Sequence, residues 1–152
     1  MTSYASTDRL AELLCRKLSV LEEILSLSQT QAALVERDDV DGLMEALAAK
    51  QTHLDRLRVL QNELAPYRDE DPEARLWRTP QRRRQTQIVA RRCEEVLEAI
   101  MAIEKECERQ LLQRRAETAA ELQSVDAAQR ARDEYASSLA VPRGGSEILA
   151  DA

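Results

Sequence analysis

The residues that interrupt helices are confined to a few places in this sequence, and no other feature constrains the fold as strongly. Four prolines and three glycines occur in 152 residues. All except Gly42 fall in two short stretches, Pro66–Pro80 and Pro142–Gly145. Because Pro and Gly interrupt regular helical backbone, the long segments between these stretches are expected to be helical.

The hydrophobic pattern of these segments predicts three long helices. Apolar or small residues recur at alternating steps of four and three positions, the spacing of a coiled-coil seam. In the first segment they are Leu14, Leu18, Leu21, Leu25, Ser28, Ala32 and Val35, and in the second Leu43, Leu47, Leu54, Leu57 and Leu64. We therefore expect helices at about residues 8–37, 40–65 and 81–139, and a flexible C-terminal tail at residues 140–152.

A short acidic turn, Asp38 and Asp39, separates the first two helices. These carboxylates can accept the free N–H groups of the next helix and place negative charge at its positive end. So short a connection predicts an antiparallel hairpin. We expect Thr7 or Asp8 to cap the first helix and Pro66 to end the second.

The third segment, residues 81–139, is about twice as long as either arm of the hairpin. At 1.5 Å per residue it would span about 88 Å, against about 45 and 39 Å for the arms. Its heptad rhythm stutters at Leu111, so that it forms either one helix or two. If the part up to about Leu112 packs on the hairpin, the rest of the segment extends beyond the arms.

The remainder of the third segment must project, fold back as a fourth helix, or bind another protein. Residues 113–121 are poor in large apolar side chains, and the apolar pattern then resumes weakly. We therefore expect Leu122, Val125 and Tyr135 to lie on a partner-binding portion of the chain.

Composition agrees with a helical protein whose core is aliphatic. Aromatic residues make up 3% and charged residues 33% of the chain. The sequence therefore predicts an all-α fold, an elongated antiparallel helical bundle with coiled-coil-like packing, as a single domain over residues 1–139. No secretory leader pattern or apolar run of about 18 residues is present, which predicts no membrane insertion and a cytoplasmic protein.

The sequence offers little for catalysis or metal binding. Cys15, Cys93 and Cys107 lack CxxC spacing and fall among apolar positions, so we expect buried, reduced thiols. His53 is the only histidine and is expected to be solvated. We therefore predict no cofactor, no metal site and no enzyme activity. Trp77 is expected to seal one end of the bundle rather than to anchor a partner.

A basic cluster contrasts with the net charge of −6. Residues 75–92 contain seven arginines and no carboxylates, and the candidate basic patch consists of Arg82, Arg83, Arg84, Arg91 and Arg92. Such a patch can bind nucleic-acid phosphates, but no aromatic residues interleave these arginines. We favour arginines that are solvated or face carboxylates of the same chain.

The run LLCRKLSVLEEILSLSQTQAALVERDDVDGLMEALAAKQTHLDRL resembles the N-terminal helical hairpin of the FlgN family of flagellar type III export chaperones. The long third helix, Tyr135 near its end, and a Pro/Gly break before the tail SEILADA also resemble the layout of that family. The resemblance implies a cytosolic chaperone that binds the C-terminal helical segments of hook-filament junction proteins. It also implies delivery of these hook-associated clients to a component of the export apparatus.

By position, the resemblance places the client-binding face at Leu111, Leu122 and Val125, and the contact with the export apparatus at Tyr135. Two other classes of function stay open. A structural coiled-coil or adaptor protein would use the same heptads to form a homo-oligomer. A helical nucleic-acid binder would use Arg75–Arg92, and we give it less weight.

Overall fold

The computed structural model describes the backbone of residues 3–151 and the side chains of residues 3–139. Three α-helices occur in this part of the chain: α1 at Tyr4–Glu36, α2 at Val40–Arg68 and α3 at Pro80–Asp151. A short 3-10 helix, Pro72–Ala74, lies in the loop before α3. No strand occurs among the described residues, and the predicted all-α helical bundle is confirmed. The predicted end of the third helix at residue 139 is wrong, because the backbone of α3 continues to Asp151. The side chains of the predicted tail, residues 140–152, lie outside the described residues.

The chain forms two compact units, Met1–Arg109 and Gln110–Ala152. α3 is a single helix, the first of the two alternatives that the sequence left open. The prediction of one domain over residues 1–139 stays a prediction. None of the helices, as far as they are described, combines the length and the apolar character needed to cross a membrane.

The first unit is a bundle of three segments of similar length. α1 has 33 residues and α2 has 29, and residues 80–109 of α3 supply the third segment. α1 and α2 run antiparallel: Arg9 Nη2 lies 3.1 Å from Glu63 Oε2, while Lys50 Nζ lies 2.6 Å from Gln31 Oε1 towards the other end. Matched lengths allow the three segments to bury their apolar faces together.

Two apolar clusters form the core of this unit. The middle cluster combines residues of all three helices: Leu21, Ile24, Leu57, Cys93, Val96 and Ile100. The second cluster, towards one end, consists of Leu10, Leu13, Leu60 and Leu64. Tyr67 and Trp77 pack against the second cluster while remaining partly exposed. This position confirms that Trp77 seals an end of the bundle.

The buried face of α2 differs from the predicted heptad seam. Leu57 and Leu64 are buried as predicted, but Leu47 and Leu54 are exposed. Ala46 and Lys50 occupy the inward positions instead. The face is rotated because Lys50 has polar partners on α1 and α3, and leucine spacing alone does not reveal them.

The connection between α1 and α2 is held by backbone hydrogen bonds. The N–H of Asp39 donates to the carbonyl of Leu34 at 3.1 Å, and that of Asp38 to the carbonyl of Val35 at 3.3 Å. This pair of bonds is a Schellman motif, and Asp38 takes the left-handed conformation that the motif needs, with φ of 55°. Asp39 then caps α2, because its Oδ1 accepts from the N–H of Gly42 at 2.9 Å.

Gly42 lies where the first turn of α2 approaches α1. A Cβ atom at this position would lie 2.9 Å from Leu34 Cδ2 and 2.8 Å from Asp39 Oδ2. These distances are shorter than ordinary van der Waals contact, so the tight turn favours a residue without a side chain. The glycine therefore contributes to the turn, although it lowers intrinsic helix propensity.

Two predicted helix ends in the first unit are wrong, and tertiary contacts explain both. Ser3 caps α1 in place of Thr7 or Asp8, and its Oγ accepts from the N–H of Ser6 at 3.1 Å. Thr7 is buried instead, and its Oγ1 donates to the carbonyl of Leu76 at 2.7 Å. The side chain that would have capped the helix is thus used to hold the loop before α3.

The other wrong boundary is at Pro66, which lies inside α2 and does not end it. Tyr67, the next residue, donates from its hydroxyl to the carbonyl of Ser6 at 3.1 Å. Its own carbonyl accepts from Arg75 Nη2 at 2.7 Å. These contacts hold the last turn in helical geometry, although proline removes one hydrogen bond of the helix.

A buried polar layer joins all three helices of the first unit. Lys50 of α2 is only 8% exposed, and its Nζ donates to Glu104 Oε1 of α3 and to Gln31 Oε1 of α1. Glu104 also accepts from Ser28 Oγ at 3.1 Å and from Gln31 Nε2 at 3.4 Å. Partial burial raises the pKa of Glu104, but the hydrogen bonds and charge of Lys50, with the bonds from Gln31 and Ser28, outweigh burial and lower the pKa below its usual value.

Substitution of Asp39 tests whether its side chain stabilises the start of α2. Asp39→Ala is expected to lower the free energy of unfolding by about 1 kcal/mol, because the N–H of Gly42 loses its acceptor. Asp39→Asn keeps an oxygen in the same place and should remain within about 0.5 kcal/mol of the parent protein. Urea unfolding followed by circular dichroism measures both variants. Equal losses in the two variants would contradict a capping role.

Substitution of the acid in the polar layer tests its contribution to stability. Glu104→Gln is expected to lower the free energy of unfolding by about 1–2 kcal/mol at pH 7, because Lys50 loses its counter-charge. The loss is smaller than for a fully buried pair, since the Glu104 side chain is 38% exposed and solvent screens the charge. Glu98→Gln, on the exposed face of α3, serves as the matched control and should change stability by less than about 0.5 kcal/mol.

The contribution of Glu104 to the free energy of unfolding should also depend on pH. Because the pKa of Glu104 is lower in the folded protein, the unfolded chain binds more protons in acid. The stabilisation is therefore fully present above the usual carboxyl pKa of about 4.3 and is lost as the pH falls through the lowered pKa of the folded state. Urea titrations at pH 7 and in acid should show the difference between parent and Glu104→Gln shrinking in acid. A constant difference would contradict the assignment.

Candidate partner-binding site

The described side chains of the second unit, residues 110–139, are nearly all exposed. From residue 115 to residue 139, every side chain is exposed. The helix here is supported by local contacts: Gln113 Nε2 donates to Glu117 Oε1 at 3.2 Å, and Gln129 Nε2 donates to Asp133 Oδ1 at 3.3 Å. The segment is also rich in alanine, which favours helix without tertiary packing.

The three residues predicted to bind a client lie on this exposed helix. Leu111, Leu122 and Val125 are 43%, 60% and 64% exposed. At 100° per residue, the spacings of 11 and 3 residues place all three within about 60° around the helix axis. They therefore form one apolar stripe, which is defined here as the α3 stripe.

Tyr135, the predicted contact with the export apparatus, is exposed on the same helix but on a different face. Its spacing of 10 residues from Val125 turns it about 80° around the axis. The phenol ring thus lies beside the α3 stripe rather than on it. The structure does not join Tyr135 to the predicted client-binding residues, so two separate contacts on one helix are geometrically compatible.

Two further leucines that the sequence did not predict as binding residues are exposed on this helix. Leu112 lies next to the α3 stripe, and Leu139 extends it, because a spacing of 14 residues from Val125 differs from full turns by about 40°. Leu139 also follows Tyr135 by four residues and so contacts the same face. Leu139 falls at the predicted end of the third helix, where the sequence gives no reason to expect a continuing helical face.

Charges of both signs flank the α3 stripe. Residues 110–139 contain four arginines and five carboxylates, interleaved along the helix. An apolar seam with mixed charges on its flanks is typical of helices that pair with another helix. The first unit also exposes single apolar side chains, among them Ile88 and Met101, but it buries a core as well. In residues 110–139 no large apolar side chain is buried.

The arginines of the basic patch are mostly engaged with carboxylates. Arg82 Nη1 lies 2.9 Å from Asp8 Oδ1, and Arg83 Nη2 lies 3.3 Å from Glu73 Oε2. Arg92 Nη1 lies 3.4 Å from Glu95 Oε2 on its own helix. Exposed ion pairs of this kind contribute little to stability, but they lower the net positive charge of the patch. Two further arginines outside the patch, Arg75 and Arg78, pair with Glu70 and Asp8.

Arg84 and Arg91 are the two members of the patch without a carboxylate partner in the described part of the chain. Both are exposed and lie seven residues apart, on the side of α3 that points away from the core. Two unpaired cations are few for a phosphate-binding surface, which commonly neutralises several phosphates.

Two of the three cysteines are buried, as predicted. Burial raises the pKa of the Cys93 thiol and that of the Cys107 thiol, so both are neutral near pH 7. The prediction for Cys15 is wrong, because this residue is exposed on α1. The heptad position of Cys15 lies beside the buried seam, and the helix turns it outward.

The prediction of a solvated His53 is also wrong. Its side chain is half-buried, and Nδ1 lies 2.8 Å from Glu23 Oε2 on α1. The residue thus belongs to the hairpin interface. Among the described residues, no group of three His, Cys, Asp or Glu side chains is arranged to hold a metal ion.

Comparison with known proteins gives no family assignment. The chain matches no protein-family model, and no match was found among curated proteins or solved structures. Function is therefore argued from the residues and geometry above.

The basic patch gives a prediction about nucleic acid. We expect no shift of a structured RNA by the parent protein in a gel at about 50 mM salt, because most of the arginines already face carboxylates. The measurement is repeated at about 200 mM salt and with an Arg84→Gln, Arg91→Gln double variant. RNA binding at low salt that is lost both at high salt and in the variant would overturn the intramolecular interpretation.

Proposed function

We propose that this chain is a cytoplasmic export chaperone that binds amphipathic terminal helices of flagellar hook-associated clients along the α3 stripe. The observation that supports the proposal is that all the large apolar side chains of residues 110–139 are exposed, although the first unit buries a core of its own. The resemblance of residues 13–57 to the hairpin of the flagellar export chaperones supplies the client class.

The mechanism is helix-against-helix capture. A client segment that is disordered before assembly can fold as an amphipathic helix when its apolar face meets a complementary stripe. The stripe is already helical in the chaperone, so the ordering cost falls mainly on the client. Covering the client's apolar face would keep it from assembling early, and Tyr135, on a neighbouring face, would contact the export apparatus while the client is bound.

A second candidate function uses the same residues for self-association. Leu111, Leu122, Val125 and Leu139 recur on one side of the helix, and a second copy of the chain could cover them as a coiled coil. A structural or adaptor protein of this kind would form a stable homo-oligomer in the absence of any client. Sedimentation equilibrium of the purified chain separates the two functions, because the chaperone proposal expects the stripe to be free before a client arrives.

The proposal predicts that polar substitutions on the stripe abolish client capture. The double variant Leu122→Gln, Val125→Gln keeps residues that tolerate helix but removes two apolar anchors, each worth about 1.5–3 kcal/mol when buried. Pull-down from the native cytoplasm with the parent chain is expected to recover a flagellar structural protein. The double variant should recover it at least about 100-fold less well.

Ile88→Gln provides the matched control for this experiment. Ile88 is 66% exposed on the same helix but lies within the first unit, so its substitution should leave capture unchanged. Circular dichroism verifies that all variants keep their helix content. Recovery of no flagellar protein by the parent chain, or equal recovery by the double variant, would contradict the proposal.

A further inference from the structure

A cavity of about 310 Å³ lies at the end of the bundle that the loop between α2 and α3 covers. Its apolar wall comes from three elements: Leu10 and Leu14 of α1, Leu64 of α2, and Trp77 of the loop. Leu10 and Leu64 belong to the second core cluster, which Trp77 packs against. The cavity is therefore continuous with the hydrophobic core and is walled by residues of the first unit alone.

The rest of the lining is strongly basic for a chain of net charge −6. Lys17, Arg68, Arg75 and Arg83 line the cavity, together with one carboxylate, Glu73. An apolar wall beside several cations and a single acid favours a ligand that has an apolar body and a negative charge.

Two of these cations are already engaged in holding the loop. Arg75 Nη2 donates to the carbonyl of Tyr67 at 2.7 Å, and Arg83 Nη2 lies 3.3 Å from both carboxylate oxygens of Glu73. Their contacts fix the loop against α2 and α3. The loop held by these contacts forms one wall of the cavity.

The other two cations, Lys17 and Arg68, have no carboxylate partner in the part of the chain that the structure describes. They belong to different helices, α1 and α2, and both line the cavity. A carboxylate that reaches either of them would gain a charge-assisted hydrogen bond that the chain itself does not supply. The cavity therefore combines an apolar wall with a free cationic rim.

We propose that this cavity binds an amphipathic monocarboxylate of the medium-chain fatty-acid class. Its carboxylate faces Lys17 and Arg68, and its aliphatic tail lies against Leu10, Leu14 and Trp77. At about 30 Å³ for a group the size of a water molecule, the cavity holds on the order of ten non-hydrogen atoms, the number in octanoate. The site is separate from the α3 stripe and does not rest on the function proposed above.

The test uses Trp77, the only tryptophan of the chain, as an intrinsic probe. Octanoate, titrated into the full-length protein below its micelle concentration, is expected to change the tryptophan fluorescence in a saturable manner. Hexanoate should bind about 15-fold more weakly, because each buried methylene contributes a factor of about four. Octanol, which has the same tail without the charge, should bind at least about 10-fold more weakly than octanoate.

Two variants locate the carboxylate. Lys17→Met and Arg68→Met each keep an apolar stem and remove the charge, and each is expected to weaken octanoate binding about 10-fold. Binding of octanol should not change in either variant. Arg84→Met is the matched control, because Arg84 is also an exposed, unpaired arginine but does not line the cavity. Urea unfolding verifies that each variant is folded.

The proposal is overturned if octanoate gives no saturable change in Trp77 fluorescence. It is also overturned if octanol binds as tightly as octanoate, or if Arg84→Met weakens octanoate binding as much as Lys17→Met does. Should a variant fail to fold, the comparison of octanoate, hexanoate and octanol with the parent protein still decides the question.

Discussion

The arrangement of the helices in the first unit depends on the partly buried contact between Lys50 and Glu104. Leucine positions along a seam are nearly interchangeable, so a bundle of leucine-rich helices can slide by a heptad or rotate at small cost. A buried ammonium group permits no such freedom, because leaving it without its carboxylate is expensive. Gln31 and Ser28 complete the layer from α1, so the polar layer ties α3 to both arms of the hairpin.

The polar layer also explains which parts of this fold were predictable. Proline, glycine and heptad spacing indicated three helices, and the Asp38–Asp39 turn indicated the hairpin, since all of these depend on residues close together in sequence. The rotation of α2 depends on Glu104, 54 residues beyond Lys50, and no local pattern pairs them. Lys50 was visible only as a polar interruption of the seam. Tertiary pairing of one charged residue thus decided which leucines of α2 were buried.

The two wrong helix ends of the first unit also result from tertiary contacts. These contacts lie at the end of the bundle opposite the polar layer. Thr7 is a good cap by its own chemistry and Pro66 a good helix terminator, yet each lies where the loop before α3 packs onto the bundle. Thr7 donates to that loop, and Tyr67, just after Pro66, is held by Ser6 and Arg75. The loop contacts override local preference at both sites. The cavity beside Trp77 is formed by the same contacts, which is why neither it nor its unpaired cations could be inferred from the sequence.

The candidate site on α3 was predictable for the opposite reason, because its structure rests on local interactions. Within the first unit, residues 80–109 of α3 match the hairpin arms in length, and Cys93, Val96 and Ile100 of this segment are buried in the shared core. Residues 110–139 remain helical through alanine content and contacts between residues four apart, and these forces do not bury apolar surface. In such a helix, an exposed leucine or valine does not stabilise the helix more than a polar residue would at the same position. The presence of Leu111, Leu122, Val125 and Leu139 on one side therefore argues for a role in binding another helix.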